Sequence, residues 1–195
     1  MGALVRYLQG LRPGEEIDSN ISQIIFRGRF AVDTNRDETI DEKLPVRIGY
    51  YHAAYLPWGE RTVSCINVEK SEDVISRPFS GCYMARIPKT MGGCECYHIH
   101  TDENVVYDRK NFWNKKYIPF VKSREEYQLY GGVLFRPSVK ECKVSREKTI
   151  TEVWGIISHD GKCYSVLVYK NTNGNWAFAN LTTNVFLKGR LLIPY

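Results

Sequence analysis

The feature that most narrows the fold is the punctuated β texture of the last third of the chain. Three runs rich in β-branched and aromatic residues follow one another there: Glu152-Val-Trp-Gly-Ile-Ile-Ser, Cys163-Tyr-Ser-Val-Leu-Val-Tyr and a stretch opening at Trp176. They are separated by His159-Asp-Gly-Lys and by the segment 171–175, which contains Asn-Gly. Asp-Gly and Asn-Gly supply the left-handed backbone positions that tight hairpin turns need. Residues from 152 onward are therefore expected to form an antiparallel meander, which rules out an all-helical fold.

The rest of the chain fits around that meander. Leu4, Tyr7, Leu8 and Leu11 recur at helical spacing until Pro13 and Gly14, predicting one short N-terminal helix. The runs 21–32 and 44–51 read as strands, with the charged stretch 33–43 as the loop between them. Residues 62–68 alternate with period two. Pro78 marks a break after Lys70–Ser76, and the strand-like run Phe79–Ile87 is followed by Pro88…Gly92-Gly93, a turn that returns the chain into Cys94–Thr101. Those two runs are expected to be a hairpin or neighbouring strands, and 108–130 helix and loop. With 43% hydrophobic and 25% charged residues, residues 1–195 read as one α+β domain with a dominant, largely antiparallel sheet.

Several function classes drop out at this level. No apolar run reaches the length of about eighteen residues that spans a bilayer, and no basic segment precedes an apolar one as in a signal peptide. Arg6 stands where a myristoylation pattern wants Ser or Thr. The net charge of +5 is spread over scattered lysines and arginines, so neither nucleic acid nor membrane is the expected partner. Serine-hydrolase elbows, phosphate loops and dinucleotide fingerprints are absent from the sequence. The carboxylates show no pairing suited to glycoside hydrolysis.

The remaining chemistry lies in cysteines and histidines. Cysteines stand at 65, 82, 94, 96, 142 and 163, irregularly spaced and expected to be free thiols. In Ser80-Gly81-Cys82, two small residues precede a thiol, so that a carbonyl substrate could approach the backbone amides that would hold an oxyanion. A cysteine and a glycine alone describe a buried structural thiol more often than a nucleophile. The histidines shift that balance. His98 and His100 follow on a run in which 94, 96, 98 and 100 share one strand face. A short return turn sets that face beside the strand entered at Cys82, which is what activation of a thiol by a base requires. The same alternation offers a rival ligand set for zinc in Cys94, Cys96, His98 and His100. Four successive same-face positions, however, fan out over roughly 20 Å, so two or three at most could reach one ion. His52 and His159 are isolated, and His159 belongs to a turn.

Phe79-Ser80-Gly81-Cys82, with a strand histidine soon after, resembles the Leu-Ser-Gly-Cys nucleophile motif of the cytotoxic necrotizing factor class of glutamine deamidase toxins, and within it the lethal-factor members. Leu56-Pro57-Trp58 before the cysteine, Tyr97-His98-Ile99, Phe112-Trp113 and Trp154-Gly-Ile-Ile are similar to elements of that class. The resemblance implies a sandwich-like pair of mixed, largely antiparallel β-sheets flanked by helices and loops. It implies cysteine-dependent hydrolysis of a glutamine side-chain amide in a host protein such as a GTPase or a translation factor. The enzyme would act as a monomer without a cofactor, secreted or translocated from a bacterium into the host cytosol. Ser76 falls where the class has a threonine that orients the histidine. The catalytic set so implied is Cys82, His100 or His98, and Ser76, with Ser80 and Gly81 at the oxyanion. His98 matches the aromatic-His-Ile context, while His100-Thr101 matches a His-Thr ending and tips the choice towards His100. A cysteine peptidase and a non-catalytic β-rich binding module are the alternatives.

Overall fold

In the N-terminal helix α1 (Ala3–Gly10), Leu4, Val5 and Leu8 are buried while Arg6 and Gln9 are exposed, as the apolar spacing requires. The computed structural model describes residues 1–27, 40–59, 63–89, 91–99, 132–138 and 151–184. A second helix, α2 (Ser19–Arg27), occupies the start of the run expected to be a strand. Local capping explains the difference. The Asp18 carboxylate accepts the Asn20 amide at 2.8 Å, and the Asp18 carbonyl accepts the amides of Ile21 and Ser22 at 3.0 Å. An Asp in this position satisfies donors that a helix start leaves open. A short apolar run fits either period, so the cap and the surface below it decide.

Eleven described strands form two sheets. They are β1 (Ile40–Lys43), β2 (Val46–Ile48), β3 (Ala53–Leu56), β4 (Val63–Val68), β5 (Asp73–Ser76), β6 (Tyr83–Pro88), β7 (Cys94–Ile99), β8 (Val133–Phe135), β9 (Thr151–Ile157), β10 (Cys163–Lys170) and β11 (Trp176–Asn184). One sheet has the order β11-β10-β9-β5-β3-β2 and the other β1-β4-β7-β6-β8. Only β1/β4 and β3/β5 pair in parallel; the other described pairs are antiparallel. This is the expected α+β, sandwich-like architecture.

Within it, the meander β9–β10–β11 and the hairpin β6–β7 form as the turns predict, with Gly161, Gly174, Gly92 and Gly93 all at positive φ. The charged segment expected to be a loop ends in strand β1 instead. Among the described strands it lies at a sheet edge, where charged residues are more readily tolerated than in a central strand. The segment from Leu44 to Tyr51 splits into β2 and a 3₁₀ turn, Gly49–Tyr51.

Three apolar layers follow. On the outer face of the six-stranded sheet, α1 and α2 pack through Leu4, Leu8 and Ile21 against Ile75, Trp154 and Val166. Between the sheets lie Leu56, Val74, Val153 and Leu167 from one side and Ile66, Met84, Cys96 and Phe135 from the other. Tyr83, Ala85, Tyr97 and Ile99 form a third cluster on the far face of the five-stranded sheet. Because β3 and β5 are covered on both faces, all four residues of each are buried. Ser76 and His98 both project into the layer between the sheets.

Candidate active site

The site is built where the two sheets face each other, at the entry to β6. Cys82 immediately precedes that strand and belongs to the inner apolar layer with Met84 and Cys96. The hairpin register sets Met84 directly across from His98 and Tyr83 across from Ile99. Cys82 lies two positions before Met84, so Cys82 and His98 are diagonal neighbours on one face. Diagonal backbone positions lie about 7–8 Å apart, a gap that an imidazole can span. The approach to the cysteine is a sharp one: Ser80 is exposed, Gly81 takes φ +147°, and the Arg77–Pro78 peptide is cis. The φ of Gly81 lies where a side chain is strained, which accounts for glycine directly before the thiol.

His98 is held from the opposite sheet. Its Nδ1 lies 2.7 Å from the Ser76 hydroxyl, and that hydroxyl lies 2.6 Å from the Leu56 carbonyl oxygen. Leu56 and Ser76 are register partners in the parallel pair β3/β5, so the carbonyl and the hydroxyl are brought together by the ladder itself. A carbonyl can only accept, so the single hydroxyl proton of Ser76 is donated to Leu56. Ser76 Oγ must then accept from Nδ1–H. The imidazole is thereby held as the tautomer whose Nε2 carries the lone pair, and proton gain and loss are confined to Nε2. Relative exposures are 0% for Ser76, 1% for His98 and 2% for Cys82. Water competes poorly for these bonds at such depth, and each is correspondingly firm.

Phe79 completes the frame. Its ring stacks on the His98 imidazole with centroids 4.3 Å apart and planes 9° from parallel. Its amide donates to the Val153 carbonyl at 3.0 Å, tying the residue before Ser80-Gly81-Cys82 to β9. Arg77 is spent elsewhere: its guanidinium is buried, 3.1 Å from Glu152, and stands 5.6 Å from the Trp176 ring centre.

Three of the other thiols are poorly suited to nucleophilic work. Burial pushes the Cys65 thiol up to about 12, and burial likewise raises Cys96 and Cys163. Of the zinc alternative's ligand set, His100 lies outside the described residues; among the described residues no group of three or more His, Cys, Asp or Glu is placed to hold a metal ion. His98 Nδ1 is engaged by Ser76. Cys82 enters a strand, whereas a papain-like nucleophile opens a helix.

Of the residues singled out from the sequence, Cys82, His98, Ser76, Ser80 and Gly81 converge here. His100, towards which the choice leaned, lies outside the described residues, as do Cys142 and Phe112-Trp113. Residues 94 and 96 share the inner face with His98 but run down the strand away from Cys82. Sequence reasoning missed two contributors. The Leu56 carbonyl is a backbone acceptor and has no residue signature. Phe79 stands where the class motif has a leucine, and an aromatic ring in the same segment as a candidate nucleophile is the signal that the sequence offers.

No protein-family model matches the chain, and neither a curated protein nor a solved structure matches it. The fold and site describe an α+β sandwich in which a histidine and a hydroxyl meet between two sheets, beside the strand entered at Cys82.

Proposed function

We propose that the chain is a cysteine-dependent amide hydrolase, a deamidase of protein glutamine. The observation that carries the reading is the relay from the Leu56 carbonyl through Ser76 to His98 Nδ1, with Nε2 left basic on the strand face that also holds Cys82. In the reaction, Nε2 takes the Cys82 proton and the thiolate attacks the glutamine Cδ. Backbone amides near Ser80–Cys82 hold the resulting oxyanion. The imidazolium returns its proton to the departing nitrogen, which leaves as ammonia and yields a thioester. Water, deprotonated at the same Nε2, then attacks the thioester; the Cys82 thiol is regenerated and the product is glutamate. A neutral amide is replaced by a carboxylate, a change able to lock or disable a regulatory protein.

A host GTPase or translation factor as substrate, delivery from a bacterium and action in the host cytosol belong to the same reading, on the strength of the motif resemblance. The test is incubation of host-cell lysate with the wild-type protein and with Cys82→Ser. Peptides that gain about one dalton at glutamine only with the wild type support the proposal and name the substrate, because amide hydrolysis through a thioester exchanges NH₂ for OH. Identical peptide masses in the two lysates would refute it.

A further inference from the structure

Gly155 lies at the register position of β9 that pairs with Ser76, at the back of the site. A Cβ placed on it would stand 2.9 Å from Phe79 Cε2, 2.7 Å from Pro137 Cγ and 3.2 Å from Met84 Sδ. Its φ is not in the left-handed region, so the glycine is there for space and not for backbone conformation. Pro137 Cγ and the edge of the Phe79 ring fill most of that space, and the face of that ring covers His98. Met84 is in turn the cross-strand partner of His98. Three elements thus converge on one ring plane: the Phe79 turn, β6 and β9.

We propose that Phe79 and Gly155 are a size-matched pair of positioning residues for His98, with Gly155 leaving the room in which the Phe79 ring lies flat on the imidazole. The inference rests on His98 acting as the base for Cys82. Its physical content is twofold. The stack fixes the ring plane so that Nδ1 stays on Ser76 and Nε2 stays on the Cys82 side. The aromatic face also interacts more favourably with imidazolium than with neutral imidazole, which favours the thiolate–imidazolium form of the pair. Among the described residues, Cys82, Cys94 and Cys96 share this inner layer, with Cys163 across the sandwich. Arg86 lies opposite Cys96 and directs its guanidinium to the carbonyls of Glu69, Lys70 and Glu72. Arg77 is turned to Glu152. The full cationic charge nearest in sequence is therefore committed to other acceptors, and the Phe79 face is the group stacked on the ring.

The experiment compares wild type with Phe79→Leu, Phe79→Tyr, Gly155→Ala and the double variant Phe79→Leu/Gly155→Ala. Three quantities are read: the His98 titration midpoint from ¹⁵N-imidazole NMR, the pH profile of Cys82 alkylation by iodoacetamide, and the melting temperature. Phe79→Leu should lower the His98 midpoint by about half a unit to one unit. Cys82 alkylation at neutral pH should then slow by about threefold to tenfold. Phe79→Tyr keeps the stack and should keep the wild-type profile. Gly155→Ala should reproduce the loss by tilting the ring. The double variant should lose less than the sum of the two single losses, since leucine vacates the part of the space held by the ring while Pro137 still bounds the rest. Additive losses in the double variant, or a Phe79→Leu profile identical to wild type with only a lower melting temperature, would overturn the pairing. The NMR midpoint reports the stack whether or not any glutamine is hydrolysed, so failure of the deamidase reading leaves this result distinguishable. If Phe79→Leu or Gly155→Ala does not fold, Phe79→Met at the same readouts decides, with an unshifted midpoint counting against the proposal.

Discussion

Removing the Ser76 hydroxyl tests the site and the sandwich together. In Ser76→Ala the Leu56 carbonyl loses a partner at 2.6 Å and His98 Nδ1–H loses one at 2.7 Å, in a place where Ser76 and His98 are 0% and 1% exposed. A buried polar group left without its partner costs about 1–3 kcal/mol. The two losses share one deleted atom and a small void can admit relaxation, so a total of about 2–4 kcal/mol is expected. With a urea slope typical of a small domain, the unfolding midpoint should fall by about 1–2 M at unchanged slope. Chemistry should suffer separately. Without the hydroxyl, nothing in the relay assigns the proton to Nδ1, and alkylation of Cys82 at neutral pH should slow by about tenfold or more. Ser76→Thr keeps the hydroxyl and adds one methyl; it should lose about 1 kcal/mol from crowding yet retain the alkylation profile. The assay is equilibrium urea denaturation followed by fluorescence, with intact-mass alkylation at several pH values. A Ser76→Ala protein that matches wild type in both measurements would show that the relay does neither job. Equal loss of reactivity in folded Ser76→Thr would show that the hydroxyl is not what matters.

Three further expectations can be checked with the same preparations. Under brief iodoacetamide treatment of the native protein near pH 8, Cys65, Cys96 and Cys163 should stay unlabelled, because burial holds all three protonated, Cys65 up to about 12. Peptide mapping that finds any of them labelled ahead of Cys82 would contradict the assignment of the nucleophile. Arg86→Met should destabilise by about 3 kcal/mol in urea denaturation, since the buried guanidinium donates to the carbonyls of Glu72 at 2.7 Å and Lys70 at 2.9 Å; a loss under 1 kcal/mol would mean that the 69–72 turn holds without it. Burial alone would raise the Asp160 carboxyl, but hydrogen bonds from Ser158 and Lys162 outweigh it and hold the group down at about 2. A carboxyl depressed in the folded state contributes stability above its ordinary value near 3.8, and that contribution is lost as pH falls towards 2. Asp160→Asn should therefore flatten the acid limb of the stability curve between about pH 4 and pH 2. A limb of unchanged steepness would assign the acid sensitivity to other carboxylates.

Local signals carried the fold a long way. Turn chemistry at Asp160-Gly161, Asn173-Gly174 and Gly92-Gly93 decided where strands reverse, because a left-handed backbone position is a property of the residue itself. The period-two runs decided which segments became β4, β7, β9 and β10, and the helical spacing of Leu4 and Leu8 decided α1. The same alternation placed Cys94, Cys96 and His98 on one face. Other assignments were not local. Ile21 is compatible with a strand or a helix, and the choice fell to the Asp18 cap and to the apolar face of the six-stranded sheet on which Ile21 packs. The charged residues of β1 become strand because an edge beside β4 supplies a ladder, which no composition of that segment announces.

The site divides in the same way. Ser80-Gly81-Cys82 and the strand histidines are visible as residue types, since a small-residue approach and a shared face are local properties. That Ser76 reaches His98 from the other sheet, that a backbone carbonyl of Leu56 sets the tautomer, and that Gly155 leaves room for Phe79 depend on residues brought together from four strands and a turn. Side-chain contact across a sandwich depends on how two sheets are stacked and aligned. Only the closed core, with all of its strands packed at once, determines that alignment.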